Sequence, residues 1–241
     1  MAKTPISADS HITEPPNCYI DYIDPSFRER APHVAKKEKF GDVYVIDGME
    51  KTIPIGLVAA AGRDPKDLRW SGGKFDEMHR SGWDPAYRLA DQDKDGVCAE
   101  IIYPSVGMVL CNHPDFDYKR ACFTAYNRWL QEYCATAPNR LYGMAQITMA
   151  SVEEGIEELR RAREMGFRGV MMPGNPQFAD YDHPDYDPFY EAAVDLDVPL
   201  SFHILTSSSD QLGAQRGPRI GAFCSIIRGC QDIISMFIFG G

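Results

Sequence analysis

The sequence predicts an α/β protein built on a parallel sheet, and three observations carry that reading. From about residue 84 onward, segments with helical spacing alternate with short apolar runs, the signature of βα units. The apolar runs are accompanied by amphipathic helices able to cover them, as in a barrel or a doubly wound sheet. No Gly-x-Gly-x-x-Gly follows any of these runs, so a dinucleotide-binding sheet lacks its fingerprint.

Ile6 to His11 reads as the first strand, leading out of Met1-Ala2-Lys3-Thr4-Pro5 with no signal peptide. Residues 15–83 break the βα rhythm. They are rich in Pro, Gly, Lys and Asp, with a small strand or hairpin expected at Val43-Tyr44-Val45-Ile46. They read as an insertion after the first strand that covers one end of the sheet, as βα-loop insertions do in barrels. Asp84-Pro85 supplies an N-cap and a first-turn proline, and the helix runs through Tyr87, Leu89 and Ala90 to a C-cap at Gly96. A strand over Val97 to Tyr103 is closed by Pro104. A long helix follows from about Tyr118 to Thr136, with Phe123, Tyr126, Leu130, Tyr133 and Cys134 at near-helical spacing. Leu141 to Met149 is the next strand. Ser151-x-x-Glu154 has the form of a capping box opening a charged helix that Gly166 ends. Gly169 to Met172 is a short buried strand, Asp187-Pro188 starts a helix, and Val198 to Leu205 is the strand that carries His203. Ile226 to Phe239 reads as an apolar helix.

Composition excludes some partners. With 25 Lys+Arg against 35 Asp+Glu the formal charge is −10, which disfavours nucleic acid and anionic membrane surfaces. Ile233 to Phe239 is too short to span a bilayer. Seven cysteines without a Cys-x-x-Cys pair are expected to be reduced and mostly buried, in a cytoplasmic protein that leaves a homodimer open.

The chemistry-bearing candidates are few. Alternate residues of a strand share a face, so Asp9 and His11 can converge on one divalent ion. Chance supplies about one acid-x-His pair in a chain of this composition, and a second occurs at Glu77-Met78-His79, which has no strand before it and reads as a solvated loop. A third ligand is needed. His203, at the end of its strand, is either that ligand or a histidine hydrogen-bonded within the sheet. Asp91 to Gly96 imitates an EF-hand start, but Ile102 stands where the bidentate Glu belongs. His113-Pro114 and His183-Pro184 read as loop residues before helices. Arg216 and Arg219 suit either substrate carboxylate recognition or the bare surface, and Ser207-Ser208-Ser209 lacks a nucleophile-elbow turn.

Several of these segments resemble one family in order and spacing. They are Asp9-Ser10-His11-x-x-Glu14-Pro15, Gly82-Trp83-Asp84-Pro85, Arg88-Leu89-x-Asp91-x-Asp93-x-x-Gly96-Val97, Tyr103-Pro104, Tyr126-Asn127-x-Trp129-Leu130, Pro138-x-Arg140-Leu141, Gly166-Phe167 and His203. Together they resemble the amidohydrolase superfamily, in the branch similar to aminocarboxymuconate-semialdehyde decarboxylase, over essentially the whole chain. The resemblance implies a (β/α)8 TIM-type barrel with one divalent metal ion, Zn or Mn, at the C-terminal ends of its strands. Asp9, His11 and His203 would be ligands, with His203 also catalytic, and a late aspartate after the last strand would complete the set. Trp83, Tyr103, Arg216 and Arg219 would bind substrate. Five strands are countable, near residues 6, 100, 145, 171 and 202. The expectation is therefore a single barrel over 1–241, truncated to about its first five βα units and lacking that aspartate.

The leading functional expectation is a metal-dependent hydrolase that attacks a small carboxylate-bearing or cyclic substrate with a metal-activated water. The alternative is non-oxidative decarboxylation of an aromatic or unsaturated acid. Decarboxylase relatives commonly use a further histidine, and none follows His203 here. An inactive truncated barrel is the third reading.

Overall fold

A computed structural model of the 241-residue chain describes residues 4–58, 61–69, 71–207 and 233–239. In chain order the elements are β1 (Ile6–His11), α1 (Cys18–Tyr22), β2 (His33–Lys37), β3 (Gly41–Val45), β4 (Ile53–Pro54), α2 (Ile55–Val58), α3 (Pro85–Asp95), β5 (Ala99–Tyr103), α4 (Val106–Leu110) and α5 (Phe116–Ala135). They continue with β6 (Leu141–Gly143), β7 (Ala145–Gln146), α6 (Val152–Glu164), β8 (Val170–Met172), α7 (Asp187–Asp195) and β9 (Leu200–Phe202). Two compact units result: Met1–Gly107 with Thr124–Met144, and Met108–Phe123 with Ala145–Gly241.

In the first unit β1, β5 and β6 form a parallel sheet in the order β1-β5-β6. The β1–β5 register slips between Ser7 and Ser10, where three steps on β1 face two on β5. Such a bulge re-aims the side chains beside it, and here it falls at Ala8 and Asp9. The strand expected at residues 43–46 is the middle of an antiparallel three-stranded sheet, β2-β3-β4, with Val43 and Tyr44 buried. Helix α3 forms as its caps dictate. Asp84 Oδ1 accepts from the Ala86 amide at 3.0 Å, Pro85 occupies the first turn, and Gly96 ends the helix at φ 70°, in the left-handed region. Because Asp91 to Asp95 lie within this helix, the EF-hand-like run forms no calcium loop. Its buried face carries Arg88 and Gln92 rather than apolar groups.

In the second unit β7, β8 and β9 are parallel in that order, with Val170 opposite both Ala145 and Leu200. Ser151 Oγ accepts from the Glu154 amide at 3.2 Å and caps α6. Asp187-Pro188 opens α7, which buries Phe189 and Ala193.

Two expected strands are shorter than the sequence suggests. The run from Leu141 to Met149 breaks because consecutive amides choose different neighbours: Met144 donates to the Ile102 carbonyl and Ala145 to the Gly169 carbonyl. Thr148 and Met149 then leave the sheet, their amides donating to Glu158 Oε2 at 2.9 and 3.2 Å. The run from Val198 to Leu205 yields only Leu200–Phe202. The Val198 amide still bonds to Ala193 at the end of α7, and Leu205 turns the chain at φ 67°.

Cys18, Cys111 and Cys122 are buried thiols, and Cys98 and Cys134 are partly buried thiols. Cys224 and Cys230 lie outside the described residues, as does the first part of the helix expected from Ile226. Residues 233–239 are helical. Phe237 packs its ring 5.9 Å from Tyr190 and 5.7 Å from Phe202, while Ile234, Ile238 and Phe239 are exposed. Among the described residues no helix is long and apolar enough to cross a membrane.

Candidate functional site

The end of β1 presents the expected pair. Asp9 Oδ1 lies 3.4 Å from His11 Nε2, so the two side chains do converge. On its other side the His11 ring meets the Pro104 carbonyl, with Nδ1 2.9 Å from the oxygen. A carbonyl only accepts, so Nδ1 donates there, and Nε2 is the ring nitrogen turned toward Asp9. That is the arrangement in which protein histidines bind metals. The Tyr103 ring lies 6.0 Å from the His11 ring.

Two charged residues absent from the expected site hold this corner. Glu14 is fully buried, and its carboxylate accepts from three successive amides at the start of α4: Ser105 at 3.1 Å, Val106 at 2.9 Å and Gly107 at 3.1 Å. Burial pushes its carboxyl above the ordinary value of 4.5, and the bonds from Val106, Gly107 and Ser105 oppose that rise. Tyr44 donates to the Glu14 carbonyl. Arg88, 7% exposed, donates to Glu100 Oε2 at 2.8 Å, to Tyr133 Oη at 2.9 Å, to the Ser81 carbonyl at 3.0 Å and to the His11 carbonyl. Burial opposes its charge, and Tyr133 and Glu100 more than restore it, so its pKa stands above the ordinary value. The signal for Arg88 was available: it and Gln92 are polar residues four apart on one face of an amphipathic helix.

The remaining candidates differ in how their rings are bonded. His203, in the second unit, lies one residue past β9 and is partly buried, with Nδ1 2.9 Å from the Ile204 carbonyl. By the same rule Nδ1 donates there, and Nε2 is the ring nitrogen not engaged by that carbonyl. Its own carbonyl accepts from Thr206 Oγ1 at 2.6 Å, and the Thr206 carbonyl accepts from the Gly174 amide, so the turn after β9 is tied to the turn after β8. His79, His113 and His183 are different. Each accepts through Nδ1 from the amide two residues on, in Ser81, Asp115 and Asp185, and so caps a local turn, as their loop positions suggested. Trp83 packs on Phe75 with ring centroids 4.6 Å apart. A cavity of about 350 Å³ beside β1 is bounded by Ser10, His11, Arg88 and Gln92 among others, and its lining does not include Trp83 or Tyr103. Arg216, Arg219, Ser208 and Ser209 lie outside the described residues.

Residues 8–225 match the amidohydrolase family. A gamma-resorcylate decarboxylase of Rhodococcus jostii is 37% identical over 87 residues, 32% of this chain and 26% of that protein. A 2-amino-3-carboxymuconate-6-semialdehyde decarboxylase of Dictyostelium discoideum is 25% identical over 134 residues, 55% of this chain and 37% of that protein. The matches thus span only about a quarter to two fifths of these relatives' lengths. Among solved structures, an amidohydrolase from Mycobacterium avium subsp. paratuberculosis superposes with a TM-score of 0.77 at 19% identity, over 100% of this chain and 70% of that one. A 5-carboxyvanillate decarboxylase from Novosphingobium aromaticivorans, solved with bound manganese, gives 0.54 at 20% identity, over 96% and 61%. The structural likenesses establish a shared fold, and the family match covers most of the sequence. The chain belongs to the amidohydrolase family.

Proposed function

We propose that this chain belongs to a metal-dependent non-oxidative decarboxylase of a small aromatic acid, and that Asp9, His11 and His203 hold the ion. The observation that carries the reading is the 37% identity to a gamma-resorcylate decarboxylase, with a second decarboxylase among the relatives. It reverses the order of the two readings drawn from the sequence, where hydrolysis led.

The residues fit a divalent cation. One carboxylate and two imidazoles form an oxygen–nitrogen donor set suited to Mn or Zn. Both histidines are bonded through Nδ1 to a backbone carbonyl, leaving Nε2 as the ligand nitrogen. When bound, such an ion supplies Lewis acidity toward the oxygens of an acid substrate. The chain's own contribution is orientation: the Pro104 carbonyl fixes the His11 ring, Arg88 fixes the His11 backbone, and Tyr103 offers an aromatic wall 6.0 Å from that ring. Trp83, Arg216 and Arg219 complete the substrate side of the proposal. Residues 15–83 act as a cover after β1, supported by the Gly82 carbonyl accepting from Thr13 and by Tyr44 bonding at Glu14. The two parallel runs of strands support successive units of a (β/α)8 barrel, and the free thiols of the described cysteines support a reducing, cytoplasmic setting.

Hydrolysis remains the second reading, favoured by the match of residues 8–225 to the amidohydrolase family. One assay separates them. The purified protein, supplied with Mn, is given gamma-resorcylate and related hydroxybenzoic acids in ¹⁸O-water. Carbon dioxide release without ¹⁸O in the aromatic product supports decarboxylation, and ¹⁸O incorporation on bond cleavage supports hydrolysis. A wild-type protein that retains no stoichiometric metal, with Asp9→Ala, His11→Ala and His203→Ala all behaving as wild type, defeats the metal site itself.

A further inference from the structure

The buried Glu14 carboxylate is costly to place, and among the described residues its bonding partners include no cation. Its partners are donors: the amides of Ser105, Val106 and Gly107, and the Tyr19 hydroxyl at 3.4 Å. The first of those amides explains what the placement achieves. Ser105 N–H and the Pro104 carbonyl belong to one planar trans peptide, so the two groups point in opposite directions. Gripping the N–H end fixes the plane and aims the carbonyl. At that other end stands His11 Nδ1, 2.9 Å away. A second bond braces the same turn, because Ser105 Oγ donates to the Ile12 carbonyl at 2.6 Å. A third joins the segments a residue earlier, from the Ile12 amide to the Tyr103 carbonyl at 3.1 Å.

We infer that Glu14 is a positioning residue for the metal ligand His11: by holding the Pro104–Ser105 peptide it directs a carbonyl onto Nδ1 and so commits Nε2 to the ligand role. Glu14 is not among the proposed ligands. It acts through one peptide plane. Its three-residue distance from His11 in sequence places it just beyond β1, where the chain turns back along the start of α4.

The inference rests on the metal reading only for its affinity consequence, and the test separates the two. The metal-free protein is labelled with ¹⁵N-histidine, and ring tautomers are read from long-range ¹H–¹⁵N spectra, with His11→Asn identifying the His11 signals. His33 is an internal control, since its Nδ1 bonds to the Ala31 carbonyl at 3.0 Å without help from Glu14. Wild type should show the Nδ1–H form at both residues. In Glu14→Gln one carboxylate oxygen becomes an NH₂ facing donor amides, and in Glu14→Leu every acceptor is gone. Both should lower the Nδ1–H population at His11 alone and weaken Mn binding by roughly 10–100-fold, the usual range for losing a group that orients a ligand. Folded variants in which the His11 signals and Mn affinity match wild type overturn the inference. Should both variants lose the His33 signature and fold poorly, Glu14→Asp decides by the same two readings, because it keeps the carboxylate and shortens its reach to the Ser105 amide. A wild type that binds no Mn sinks the metal reading while the tautomer result still judges Glu14.

Discussion

Arg88 and Glu100 form an ion pair with side chains only 8% and 15% exposed, so neither charge has water to fall back on. Breaking such a pair from one side leaves a buried charge uncompensated, at a cost of about 3–5 kcal/mol. Arg88→Met should therefore lower the urea midpoint sharply, and the double variant Arg88→Met/Glu100→Leu should recover part of the loss. Equal midpoints for the single and double variants would contradict that coupling. At this scale the sequence revealed residue types and not their orientation. Asp9 and His11 were legible because strand period two puts them on one face, and the 3.4 Å approach agrees. What could not be read is which ring nitrogen each histidine presents. His11 and His203 differ from His79, His113 and His183 only through carbonyls and amides, and for His11 the decisive carbonyl is 93 residues away. Glu14 was invisible as a clamp for the same reason, since the amides it holds are donated from beyond β5.

Helix ends are written locally, and they were read correctly where the cap residue sits beside the helix. Ser151 is one case: Ser151→Ala removes the acceptor for the Glu154 amide and should cost about 1 kcal/mol, measured by urea unfolding, with Ser151→Gly losing less. Strand limits were not local. The break at Met144 and the bulge at Ala8 and Asp9 depend on which neighbour each amide meets, and hydrophobic pattern carries no such information. The same stretch supplies a pH test. Glu158, on α6, is buried and holds the amides of Thr148 and Met149. Burial raises its carboxyl above 4.5, although bonds from Thr148 and Met149 oppose this. The native state then binds a proton that the unfolded state releases, so this stabilisation is full below 4.5 and is lost as pH rises through the folded value. Urea midpoints of Glu158→Gln and wild type, compared from about pH 4 to about pH 8, should diverge in that direction, with the wild type losing more stability on the alkaline side. A wild-type curve parallel to that of Glu158→Gln would remove Glu158 as the source.

For the whole molecule, the family was legible because its segments are short, ordered and spread along the chain, and the match over residues 8–225 agrees. The reaction was not, because a carboxylate and two imidazoles suit a metal ion that activates water and one that holds an acid substrate alike. Metal binding nevertheless predicts a global effect. At a hundredfold excess over the dissociation constant, Mn should add about 2.7 kcal/mol and raise the thermal midpoint by roughly 5–10 °C, with a chelator reversing it. An unchanged midpoint in differential scanning calorimetry would count against a site formed only in the native state. Residues 233–239 bear on a different property. Phe237 touches Tyr190 and Phe202 yet is 42% exposed, and Ile234 at 55%, Ile238 at 65% and Phe239 at 85% exposure lie on the same short helix. Contiguous apolar surface of this kind promotes self-association, so concentrated stocks should lose monomer with storage time at a rate that climbs with concentration. Ile238→Lys with Phe239→Asp should lengthen that shelf life while leaving the unfolding midpoint where it was.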